Sequence, residues 1–201
     1  LTAGYFEYDF SDMNIYDFGY GPVSAHRHSN GGGWVADTAK VADTVYVGLN
    51  ACVSGNAYVS GNSRVSGYAQ VYDNAYVSGN ALVYGNAEVF GYAQVHGNSR
   101  VFGDALVSGN AKVYDNAYVS GNSRVFGNAL VSKTPVRISR SDGYDFVIVP
   151  CADNVDRIIA GCHYFTFEEA YNHWNKEHPN YEETTIILEA LKKLYELQKT
   201  S

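Results

Sequence analysis

Three groups of side chains in this sequence are of types that do chemistry. His26 and His28 lie two residues apart beside Gly31-Gly32-Gly33. In an extended strand both would face the same way and offer two imidazoles to a metal ion, but no third ligand follows at a recognisable spacing. Cys162 and His163 are adjacent and combine a nucleophile with a base. Neighbours in an extended strand point to opposite faces, so they would diverge rather than meet. His96 is the one histidine in the middle of the chain, next to Val95, and it is the candidate general base if the protein is an enzyme. Its ordinary reading is a solvated surface imidazole. The three cysteines (Cys52, Cys151, Cys162) are widely spaced and form no CxxC pair, which suggests neither a zinc knuckle nor a disulfide framework. A reducing cytoplasm is the expected compartment. No cofactor is expected.

The elements that must position these side chains are set by a repeat. Valine stands at position 35 and at every sixth position through Val131, seventeen in succession without a slip. A small residue follows four places later, as in Ala51, Ala57, Ser63 and Ala69, and Gly or Asp with Asn usually fills the positions between. A β-branched residue suits a short strand. Gly and Asn tolerate the left-handed backbone that a sharp corner needs. Three such units close an 18-residue triangular coil, and successive coils stack as parallel strands about 4.8 Å apart. Residues 34–132 then form a rod of about five and a half coils, roughly 26 Å long by that spacing. Valine and the small residue point inward. A helix reading fails because Gly or Asn recurs at nearly every corner. Asn62, Asn80, Asn98 and Asn116 should stack at one corner and bond amide to amide.

The residues flanking each valine face outward. A period of 18 gathers Arg64, Leu82, Tyr84, Arg100 and Phe102 on one side, Tyr72, Glu88 and Phe90 on another, and Tyr58, Tyr76, His96 and Tyr114 on the remaining one. Aromatic groups beside arginines suit a protein interface. They equally suit stacking from coil to coil that stabilises the strands.

Composition excludes several classes. The chain has 201 residues, 46% of them hydrophobic, and a formal net charge of -7. That is enough apolar content for a core and the wrong sign for gripping a phosphate backbone, so no nucleic acid is expected. The rod is nearly neutral: Asp37, Asp43, Asp73, Glu88, Asp104 and Asp115 face Lys40, Arg64, Arg100, Lys112 and Arg124. An acidic rod mimicking DNA and a basic groove are both set aside. No apolar run approaches 18 residues, and the first residues lack a basic stretch followed by an apolar one, so neither a membrane span nor a secretory signal is expected.

The two ends differ from the rod. In residues 1–33, Tyr5, Phe6, Tyr8, Phe10, Tyr16, Phe18 and Tyr20 alternate with Glu7, Asp9, Asp12 and Asp17. This segment reads as a strand pair capping the first coil or as an arm docking on a neighbouring subunit; an open coil end must be blocked because an unpaired edge templates aggregation. In residues 133–201 the sequence predicts strands at 136–139, 144–149 and 157–160 with a turn at Ser141-Asp142-Gly143. Thr166-Phe167-Glu168-Glu169 is a capping box opening one helix. Asn180 opens a second, with Ile187, Leu188, Leu191, Leu194 and Tyr195 as its apolar stripe. The architecture expected is mainly β: a β-helix with a small α+β C-terminal cap carrying two helices.

The pattern aliphatic-x-x-x-small-x, with Val53-Ser54-Gly55-Asn56-Ala57 as its type phrase, resembles the left-handed parallel β-helix of hexapeptide-repeat proteins. The Val-x-Gly-Asn-Ala phrases and the stretch from His26 through Trp34-Val35-Ala36-Asp37-Thr38-Ala39 look like a subgroup found in bacteriophage and prophage proteins. The tail from Ile159 through Thr166-Phe167-Glu168-Glu169 resembles the small cap of such rods. The resemblance implies left-handedness and two function classes. One is a trimeric acyltransferase using acetyl-CoA, with a histidine as base; this sequence departs from it, because no loop interrupts Val35–Val131 and His96 is the rod's one histidine. The other is a non-catalytic binding or assembly protein, in the cytoplasm of a host if phage-encoded, whose partner is a protein such as a host defence complex that it blocks, or which serves as a virion or fibre component. The second class is the expected one, as a homodimer or homotrimer, because the rod offers shape and aromatics but no catalytic constellation.

Overall fold

A computed structural model of the chain describes residues 14–200. The expected alternation of Tyr5, Phe6, Tyr8 and Phe10 with Glu7, Asp9 and Asp12 lies outside the described residues. From Trp34 the chain winds into a three-sided parallel β-solenoid of about 5 turns. Each side is a sheet of mostly two-residue strands paired at a spacing of 18 residues, as in Val53 beside Val71 beside Val89. The first face carries Trp34, Cys52, Gln70, Glu88, Leu106 and Arg124 on successive coils. The second carries Lys40, Tyr58, Tyr76, Gln94, Lys112 and Leu130. The third carries Tyr46, Arg64, Leu82, Arg100 and Tyr118.

The predicted register holds. Sixteen of the seventeen repeat valines are buried, with the small residues Ala51 through Ala129 and Ser63, Ser99 and Ser123 beside them. Each fully buried valine stabilises the fold by about 1.5–3 kcal/mol relative to exposure. The corners explain the glycines twice over. Gly85 has φ +76°, and a Cβ built on it would lie 2.9 Å from both N and O of Gly103 on the next coil. The corner therefore needs Gly for its conformation and for the approach of the neighbouring backbone. Asp73 and Asp115 take the same left-handed conformation (φ 59° and 56°) in place of Gly. The asparagine ladder runs from Asn80 to Asn98 at 3.0 Å and from Asn98 to Asn116 at 3.5 Å. A second ladder joins Asn86 to Asp104 at 2.8 Å, and a third joins Asn110 to Asn128 at 3.4 Å.

At the N-terminal end, strands Ile15–Asp17 and Pro22–Arg27 add antiparallel to Trp34–Ala36 and extend the first face. The loop at Asn30–Gly33 covers the third face: Val47 N–H donates to Asn30 O and Gly33 N–H to Val47 O, both at 2.9 Å. The second face keeps an edge. Lys40–Val41 pairs with Tyr58–Val59 alone among the described residues, and Ala39 and Val41 stay only partly buried. That edge is why Val41 departs from the other sixteen valines.

Beyond the rod, strands Val136–Ser139, Asp145–Val149, Arg157–Ala160 and His163–Phe165 form an antiparallel sheet in that order. One of its sides presents Val147, Val149 and Ile159 to the end of the rod core. The other presents Phe146, Ile148, Ile158 and Ala160 to helices α1 (Phe167–His173) and α2 (Tyr181–Lys199). The α1 capping box forms in full, Glu169 N–H donating to Thr166 Oγ1 and Thr166 N–H to the Glu169 carboxylate. The stripe expected on α2 needs one correction. Ile187, Leu188, Leu191 and Tyr195 are buried, but Leu194 is 47% exposed. Around the helix it sits at the rim of the stripe, well off the line of Leu188, Leu191 and Tyr195, although Tyr195 beyond it is buried. Among the described residues no helix is long and apolar enough to cross a membrane.

Candidate functional site

Two residues flanking each valine are left to form the outer surface, and their side chains stack in columns one coil apart. On the third face one column reads Tyr46, Arg64, Leu82, Arg100, Tyr118. The Arg64 guanidinium lies 4.3 Å from the centre of the Tyr46 ring and that of Arg100 5.1 Å from Tyr118. Each cation is thus fixed on an aromatic face below or above it, leaving its outer N–H groups free. Neither has an ion-pair partner among the described residues. The adjoining column holds Tyr84 and Phe102, stacked at 4.8 Å with their planes 1° apart.

The other faces use their aromatics similarly. On the first, Tyr72 and Phe90 stack at 4.9 Å, and the Tyr72 hydroxyl donates to Glu88 at 2.7 Å. Burial, with that carboxylate beside it, pushes the Tyr72 phenol upward. The Cys52 thiol on the same face is pushed up to about 11, chiefly by burial, and so stays protonated and unreactive. On the second, Tyr58 stacks on Tyr76 at 5.3 Å and His96 on Tyr114 at 5.6 Å.

These geometries refine the expectation for the aromatic candidates. Tyr72, Phe90, Tyr84 and Phe102 are half-buried, not open. A ring with both planes near a neighbouring coil shows solvent mainly its edge. The most exposed aromatics described in the rod sit at corners instead: Tyr68 and Tyr92, each 65% exposed. Both follow a corner glycine at the place that Asn fills in most repeats. Each breaks a different Asn column, which was the signal for them, and a reading centred on valine's neighbours misses it.

The histidines separate. His26 is exposed and its Nδ1 lies 2.8 Å from Asp37. His28 is buried, just past the strand that ends at Arg27, so the two do not share a face. Among the described residues no group of three or more His, Cys, Asp or Glu could hold a metal ion. His96 is half-buried against Tyr114, and its ring nitrogens have no partner among the described hydrogen bonds. Cys162 lines a cleft of about 380 Å³ with Arg124, Tyr144 and Asp145, whereas His163 packs against Phe165 and His173. The fold brings together what the sequence scattered: His163, His173 and His178 gather around Trp174, with ring centres 4.5 Å apart for the first pair and 6.0 Å for the second. Burial and then His173 hold the His163 imidazole below its usual value.

A family model described as the YdcK beta solenoid repeat matches residues 69–85, one stretch of the rod. No curated protein and no solved structure matches the chain. The fold and this match define the class: a β-helix repeat protein of the solenoid type.

Proposed function

We propose that the protein is a non-catalytic binding or assembly protein that docks a protein partner on the third face of its rod. The observation that carries this reading is the column Tyr46, Arg64, Leu82, Arg100, Tyr118. It presents two exposed cations without carboxylate partners, each held against a ring, around an apolar centre. Arginines prefixed in this way lose little side-chain entropy on binding, and arginine beside aromatic rings is the composition of interface hot spots. Tyr84 and Phe102 widen the surface with ring edges. The corner tyrosines Tyr68 and Tyr92 and the pair Tyr72 and Phe90 make the first face a secondary docking area. A place among phage-type hexapeptide-repeat proteins, action in a host cytoplasm and a host defence complex as the partner rest on the sequence resemblance. They name the first lysate in which to look.

The test is comparative capture. Wild type and the Arg64→Glu/Arg100→Glu variant are used as baits in the same host lysate and read by mass spectrometry. Proteins held by wild type and lost with the variant, whose exposed substitutions leave the core untouched, support the reading. Identical capture by both overturns it.

A further inference from the structure

The third face has a complement elsewhere on the same chain. Helix α2 carries Glu182, Ile186 and Glu189 on its outer side; all three are exposed, Ile186 at 66%. Neither glutamate has an ion-pair partner among the described residues. Seven residues are nearly two helical turns, so Glu182 and Glu189 lie on one stripe about 10.5 Å apart with Ile186 between them. On the rod, Arg64 and Arg100 are two coils apart, about 9.6 Å, with Leu82 between them. Acid, apolar, acid thus faces base, apolar, base at matching pitch. The next residue on the helix stripe is Lys193, which is exposed. In this register it falls at the level of a tyrosine ring, because tyrosine ends the rod column at both Tyr46 and Tyr118.

We infer that the third face of one copy binds the outer side of α2 of a second copy, so that the protein self-associates. This deepens the reading of that face as a protein-docking surface and rests on it. An acidic helix of an unrelated protein with the same i, i+7 spacing would fit by the same chemistry and is an outcome of the test.

The experiment is a charge swap read as mass in solution. Sedimentation velocity at about 100 μM chain and low salt should give a dimer or trimer, with the mass falling as salt rises to about 0.5 M. Arg64→Glu/Arg100→Glu and Glu182→Arg/Glu189→Arg should each weaken association at least tenfold. Mixing the two variants should restore it, since each supplies the surface that the other lacks. All four residues are exposed, so unchanged circular dichroism is expected and shows that folding is not the cause. A wild type that is monomeric at that concentration, reversal variants that keep the oligomeric mass, or a mixture that stays monomeric each overturns the inference. Should the variant lose capture of a foreign protein while the wild type is monomeric, self-docking fails and the docking face stands.

Discussion

At the scale of single residues, the chain shows how little a histidine's sequence neighbours reveal. His26 and His28 look like a pair and are parted by the end of a strand, while His163, His173 and His178 look unrelated and meet around Trp174. The cluster has a consequence for stability. His163 is held below its usual value of about 6.5, first by burial and then by His173. In the window between its lowered folded value and about 6.5, the unfolded chain binds more protons than the folded one, so stability is full above that window and is lost as pH falls through it. Denaturation midpoints measured from pH 8 to pH 5 should decline across the acidic half of that range, and His163→Gln should flatten the decline. The further loss at still lower pH should persist in that variant. It belongs to carboxylates such as Asp153, which Arg157 holds at about 2 and whose contribution is lost only as pH falls through that lower value. An unchanged decline in His163→Gln would show that another group carries it. No spacing rule makes this cluster legible beforehand, because a strand, a helix end and a loop supply one histidine each.

At the scale of elements, the repeat was almost wholly legible. A hydrophobic beat of six with glycine at the corner leaves one solution for the core, and the register follows because shifting a strand by one residue would turn valine outward. The stacking of corner on corner adds a constraint that periodicity alone does not display. Gly85→Ala should destabilise by about 1–2 kcal/mol for the left-handed backbone, and further because the new methyl meets Gly103 at 2.9 Å. Urea midpoints should separate it from Ser66→Ala, a change at a half-buried outward position of the neighbouring coil that should move little. Equal midpoints for the two would mean that the corner can relax. The cap was legible as strands and helices, since the capping box and turn residues act locally. The rim of the α2 stripe was not: periodicity places Leu194 beside Ile187, but only the way the helix is rotated onto the sheet decides that Ile187 is covered and Leu194 is not.

At the scale of the whole molecule, the ends control the rod. The cap sheet lays Val147, Val149 and Ile159 on the last coil, and Leu130 N–H donates to Pro150 O at 2.7 Å. Deleting residues 133–201 would expose that coil as an unpaired edge, so the truncated chain should aggregate, as light scattering of the purified protein would show; a soluble, monodisperse rod would show that the coils end themselves. By itself the sequence determined the class of fold, the inward and outward sides of every repeat and the existence of a two-helix cap. These depend on local conformational preference and on a periodicity that one strand imposes on the next. Tertiary structure alone decided which groups stay exposed and which of them stand side by side. Arg64 and Arg100 become one column only when coils stack, and Glu182 and Glu189 are left exposed only because α2 docks with Ile187, Leu188 and Leu191 inward. Such neighbourhoods depend on residues far apart in the chain, where no local energy term ties one to the other.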